Sequence, residues 1–176
     1  QALAGTLAQA AFGSQVADRD ALLAITLDTG ATVEATVADM AGVIGEKIEL
    51  GGVATVQAPA TTYLHRRASD LPPQVGVLVA YDGDEETAKG IAMQIAAMRP
   101  SFLNRDDVPA EAVEKERRIA ETAAKEEGKP EQAIPKIVEG RVNAFFKDNV
   151  LLEQASVVEN KKTVADVLAE NGTTVR

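Results

Sequence analysis

Residues 75–100 begin Val75-Gly76-Val77-Leu78-Val79-Ala80-Tyr81, turn at Asp82-Gly83, and continue through Ala88, Ile91, Ala92, Ile95 and Met98 to Arg99-Pro100. The first seven residues form a short apolar run rich in β-branched side chains, which reads as a strand buried on at least one face. Asp82-Gly83 is a turn signal. Beyond it the apolar residues recur every three or four positions, so an Ala-rich helix follows, and Arg99-Pro100 stops it. A strand leading through a tight turn into a helix sets the class. The expectation is an α+β fold.

Working back from Val75, a polar loop with Pro72-Pro73 precedes Thr61-Thr62-Tyr63-Leu64-His65, which is β-prone by composition. Lys47-Ile48-Glu49-Leu50 and Val53-Ala54-Thr55-Val56 also favour extended chain, with Gly51-Gly52 as a bulge or turn between them. Upstream the period becomes helical. Residues 1–12 place Leu3, Leu7, Ala10 and Ala11 on one face, and Gly13-Ser14 ends that helix. Asp18 or Asp20 can cap a short helix carrying Leu22, Leu23 and Ile25. Thr32 opens a third helix, with Val33, Val37, Met40 and Ile44 in one stripe.

Working forward, residues 106–150 form a different module. A charged helix over 111–127 has a thin apolar stripe through Val113, Ile119 and Ala123. Gly128-Lys129-Pro130 breaks it, because proline removes a donor and fixes φ. A second helix turns Ile134, Ile137, Val138 and Val142 inward, and so short a break predicts an antiparallel pair projecting from the sheet. Thr163 with Asp166 reads as a capping box before Val164, Val167 and Leu168. Asn171-Gly172 ends that helix, and Thr173 to Arg176 begin another strand.

The whole chain narrows the function classes. Its 176 residues contain no cysteine, which excludes disulfides and thiol chemistry. With 18 basic and 27 acidic residues the net charge is -9, a surface that repels phosphate backbones, so direct nucleic-acid binding is not expected. No apolar run approaches the roughly 20 residues that span a bilayer, so no membrane role is expected. Gln1 already reads as the edge of a helix and is not preceded by Met. The expectation is a piece of a longer chain.

Few residues suggest chemistry. Ile25-Thr26-Leu27-Asp28-Thr29-Gly30-Ala31 matches the Asp-Thr-Gly loop of aspartic proteases. Two carboxylates must share a proton in that chemistry, and only one copy is present, between flanks that read as helix. A turn is the better reading of Asp28. His65 is the only histidine and has no adjacent nucleophile or carboxylate pair. Asp82, Asp84, Glu85 and Glu86 lack calcium-loop spacing and suit a helix N-terminus instead. No phosphate loop, dinucleotide fingerprint or metal pair occurs. On these features the chain is built for contact rather than catalysis.

Several blocks together resemble one family. They are Tyr63-Leu64-His65, then Val75-Gly76-Val77-Leu78-Val79, then Ile91-Ala92-Met93-Gln94-Ile95-Ala96-Ala97, which is similar to an Ile-Ala-Met-His-Ile-Ala-Ala helix. Asp107-Val108-Pro109-Ala110-Glu111, Gly128-Lys129-Pro130, Lys136-Ile137-Val138-Glu139-Gly140-Arg141, Leu151-Leu152-Glu153-Gln154 and Lys162-Thr163-Val164 follow in order. Each is weak singly, but their order over about residues 44–170 resembles bacterial elongation factor Ts, and the 66–73 loop resembles its actinobacterial branch. The family's N-terminal helical domain and its Thr-Asp-Phe-Val-Ala signature do not occur in this sequence. The family places that signature just upstream of the helix that begins here.

The resemblance implies two small antiparallel-sheet-plus-helix subdomains with a projecting antiparallel helical hairpin. The boundaries expected are 1–58 for the N-terminal core subdomain, 59–105 with 154–176 for the C-terminal one, and 106–153 for the hairpin. It implies a cytoplasmic nucleotide exchange factor that binds elongation factor Tu, in GDP-bound and nucleotide-free forms, and promotes GDP release. It implies no cofactor, no metal and no catalytic residue. By position, His65 matches the histidine that contacts the GTPase domain, with Tyr63 in the same block. Val157 and Val158 match an apolar pair that touches the partner's third domain, although Ala155-Ser156 stands where the family commonly has Pro-Phe. In some members the hairpin mediates dimerisation, so a homodimer through 106–150 is the alternative, and a protease using Asp28 the remote one.

Overall fold

The computed structural model describes residues 2–66 and 68–176. It divides into two compact units, Gln1–Gln57 and Ala58–Arg176.

The first unit is helical. Helix α1 spans Ala2–Ser14, α2 spans Arg19–Ala24 and α3 spans Val33–Ile44. The predicted caps form: the Asp18 carboxylate accepts from the Ala21 N–H at 2.8 Å, and the Thr32 hydroxyl accepts from the Ala35 N–H at 3.1 Å. Each satisfies a helix N–H that has no carbonyl partner, worth about 1 kcal/mol. Leu7, Ala11, Leu22, Val33 and Val37 make the core. Burying a leucine such as Leu22 contributes about 2 kcal/mol. Ile44 is exposed, because the stripe drifts off the core as the helix ends.

Residues 47–56 carry no paired strand, contrary to the reading of the two extended runs. Ile48, Leu50 and Val53 do turn onto the helical core. A strand, however, needs a neighbour for its backbone donors and acceptors, and the helices around it have already satisfied their own.

The second unit holds the sheet. Strand β1, Ala60–His65, pairs antiparallel with β2, Val75–Asp82, and β2 pairs with the short β3, Thr174–Val175. The register sets Thr61 opposite Val79, Tyr63 opposite Val77 and His65 opposite Val75. Side chains alternate between faces, so these six share one face. Helix α4, Glu85–Met98, covers that face with Ala88, Ile91 and Ala92, which are buried along with Val77 and Val79. The other face leaves Leu64 and Leu78 half exposed beside Gly76.

The turn between β2 and α4 requires its glycine. Gly83 has φ of +116°, and a Cβ there would lie 2.6 Å from the carbonyl oxygen of Gly172. Asp84 then caps α4, accepting from the Thr87 N–H at 2.7 Å and the Thr87 hydroxyl at 2.8 Å. These bonds hold the Asp84 carboxyl below its ordinary range.

Helices α5, Ala110–Glu126, and α6, Ile134–Asn149, form the antiparallel pair. Their joint core is Ala120, Ala124, Ile134, Val138, Val142 and Phe146, closed by Val108 and Val150. The inward row on α5 therefore runs through Ala120 and Ala124, and Ile119 stands 50% exposed on the outside. Fully buried alanines bring the two helices close, and one position away a helix has already turned by about 100°. Arg105 anchors the base of the hairpin. It meets Glu153 through two bonds of 2.6 and 2.5 Å, and its guanidinium lies 4.1 Å from the Phe146 ring centroid. Helix α7, Val164–Glu170, starts from the predicted capping box, in which Thr163 and Asp166 bond each other's backbone N–H groups.

Candidate protein-docking groove

Strand β1 places Tyr63 and His65 two residues apart, hence on the same face. The Tyr63 hydroxyl lies 3.1 Å from Nδ1 of His65, and the two ring centroids are 6.0 Å apart. Across from them runs the last part of α4. The helix stops at Arg99, which takes a left-handed φ of +49° while its N–H still bonds the Ile95 carbonyl. Pro100 explains this stop, since the residue before a proline is disfavoured in helical geometry.

Between β1 and α4 lies an open groove of about 570 Å³ whose lining includes Tyr63, His65, Met93, Ala97, Arg99 and Val157. Tyr63 and His65 come from the strand, and Val157 from a loop far along the chain. Val157 is 51% exposed. An aromatic ring, an imidazole, a thioether and a branched aliphatic side chain, with one guanidinium at the rim, make a surface suited to another protein.

Val158 does not share this groove. It lines a second depression, of about 290 Å³, with Asp84, Glu86, Gly90, Ile91 and Glu159. The adjacent valines thus face different surroundings.

The support beneath Val157 was not read from the sequence. Gln94 is 1% exposed and Gln154 is fully buried. Gln94 Nε2 donates to Gln154 Oε1 at 3.1 Å and to the Ala155 carbonyl at 3.1 Å, and Gln94 Oε1 accepts from the Val157 N–H at 2.8 Å. Gln154 Nε2 donates to the Asp148 carbonyl at 2.8 Å. The signal available was a glutamine on an apolar helical stripe between Ile91 and Ile95.

Asp28 lies elsewhere, in the first unit. Its turn is closed by the Gly30 N–H donating to the Leu27 carbonyl at 2.8 Å, with Gly30 at φ +84°. Helices α2 and α3 flank it, not the β-structure that protease chemistry would require. Among the described residues no group of three or more His, Asp or Glu side chains could hold a metal.

The family model for elongation factor Ts matches residues 1–176. The chain is 55% identical to the elongation factor Ts of Nocardia farcinica, over 99% of its own length and 65% of the relative's. It is 58% identical to that of a Nocardioides species and 52% identical to that of Rhodococcus erythropolis, again over 99% of its length and 64% of theirs. It therefore spans a little under two thirds of these relatives. The model covers the strand, helix and loop that build the groove, and on that match the chain belongs to the elongation factor Ts family.

Proposed function

We propose that this chain grips elongation factor Tu in its GDP-bound and nucleotide-free forms and promotes GDP release, acting in protein biosynthesis in the cytoplasm. The observation that carries this reading is the single groove lined by Tyr63, His65 and Val157, three of the residues matched to partner contacts. The groove has the chemistry of an interface: exposed Met93 and Val157 beside the partly buried Tyr63 ring, carried on a strand, a helix and a loop. On this reading the chain acts by binding energy rather than by covalent chemistry.

The mechanism is reciprocal coupling. A factor that binds the empty GTPase more tightly than the loaded one must be expelled when nucleotide returns, by the same factor that it expels nucleotide. The chain's overall net charge of -9 disfavours attraction to nucleic acid.

The alternative use of residues 106–150, as a homodimer contact, has little apolar surface to draw on. Helices α5 and α6 bury their large side chains against each other, and Ile119 is the one large apolar residue that they leave exposed among the described residues.

Gel filtration with elongation factor Tu tests the proposal. Co-elution is expected without nucleotide, and separation once excess GDP and magnesium are added. Failure to co-elute with the nucleotide-free GTPase would overturn it.

A further inference from the structure

We infer that Gln94 and Gln154 form a buried amide clasp that fixes Val157 on α4, making Gln94 a positioning residue for docking of the partner protein. The inference rests on the docking-groove reading of the proposed function.

A glutamine buried on an apolar helical stripe is costly unless its polar atoms are paired. Here they are paired with targets that define an orientation. The carboxamide faces two carbonyl oxygens, those of the Gln154 side chain and of Ala155, so its NH2 must point to them. Its oxygen then meets the Val157 N–H at 2.8 Å. Only one amide orientation satisfies all three.

The bonds to Ala155 and Val157 bracket Ser156, so one side chain of α4 holds the loop from both sides. The rest of the loop tip is closed on itself: the Val158 and Glu159 N–H groups donate to the Ser156 hydroxyl at 3.2 and 3.0 Å. A rigid turn gripped at two points by α4 gives Val157 a fixed place beside Met93, its neighbour in the groove. Gln154 extends the grip to the end of α6 through the Asp148 carbonyl, and to α7, since its own carbonyl accepts from the Val164 N–H at 2.9 Å. Buried networks satisfied in this way specify position, because any shift leaves a buried donor or acceptor unpaired.

Two measurements test the clasp. In the wild-type chain the Val157 amide, at a half-exposed position, should exchange with solvent at least about 100-fold more slowly than in an unstructured peptide. Unprotected exchange would overturn the inference whether or not the partner binds. In a double-mutant cycle, Gln94→Leu should weaken binding to nucleotide-free elongation factor Tu about tenfold while circular dichroism is unchanged. In a Val157→Ala background the same change should have no further effect. Additive losses, or wild-type binding by a folded Gln94→Leu variant, would overturn it. If Gln94→Leu does not fold, Gln94→His, which keeps one donor and one acceptor, should retain Val157 protection and bind within about threefold of wild type, and loss of either overturns the clasp. A wild-type chain that protects Val157 yet ignores the GTPase would refute the docking reading and leave the clasp standing.

Discussion

The Tyr63 hydroxyl and Nδ1 of His65 meet at 3.1 Å across the two-residue repeat of one strand. The contact ties the phenol to one ring nitrogen and leaves Nε2 directed away from Tyr63. The tyrosine thus orients the imidazole that lines the groove. Tyr63→Phe is expected to weaken binding of elongation factor Tu about threefold, the worth of one net hydrogen bond, and His65→Ala about tenfold. Titration calorimetry separates the two. Equal losses would mean that the tyrosine contacts the partner itself.

Asp84 and Asp166, with Glu121, Glu127 and Glu153, are carboxyls whose depression should contribute to an acid limb of stability. Both aspartates are held below their ordinary 3.8, first by the backbone N–H groups that they cap, of Thr87 and Thr163, and next by the hydroxyls of the same residues. A carboxyl depressed in the folded state adds stability that is complete above its unfolded value and is lost as pH falls through the folded one. The share of the melting-temperature loss that these two caps cause should therefore set in as pH falls below about 3.8. Asp84→Asn keeps an acceptor for the Thr87 N–H and does not titrate, so it should melt close to wild type at pH 7 and show a shallower acid limb. An unchanged limb would place the acid sensitivity elsewhere.

Local signals made much of this fold legible. The strand over 75–81, the Asp-Gly turn and the stripe through Ala88, Ile91 and Ala92 encode β2 and α4 in consecutive residues. Thr32, and Thr163 with Asp166, announce helix starts because their partners lie three residues away. What escaped depends on distant partners. Residues 47–56 have strand composition, but among the described residues of their unit no strand lies ready to pair with them. Val157 and His65 share a groove across 92 positions of chain, and the resemblance supplied both names without showing that they meet. Gln94 and Gln154 are 60 positions apart, and nothing local says that two amides will face each other.

The hairpin separates two readings of α5. A stripe through Ile119 predicts that this residue carries packing energy, whereas the structure puts Ala120 at the contact with no exposure and Ile119 outside. Ala120→Leu should overpack the interface and cost about 1–3 kcal/mol. Ile119→Lys should cost less than about 0.5 kcal/mol. Urea unfolding measures both. Light scattering on Ile119→Lys adds a check on the dimer reading: a dimer seated on this helix face would fall apart with the buried lysine, and a monomer would be unaffected.

The two valines of the 155–159 loop should prove unequal. Val157 opens into the groove with His65, and Val158 into the depression bounded by Asp84, Glu86 and Glu159. Residues that touch one partner surface through a shared groove lose binding energy non-additively when truncated together, and residues in separate surroundings lose it additively. His65→Ala with Val157→Ala should therefore cost less than the sum of the two single losses, by at least about 0.5 kcal/mol. His65→Ala with Val158→Ala should equal its sum. If both pairs add, His65 and Val157 meet independent parts of the partner, and the groove is not one docking site. If both pairs couple, the partner spans α4 and reaches the acidic depression as well, and charge reversal at Glu86 should then change the association rate with a dependence on salt.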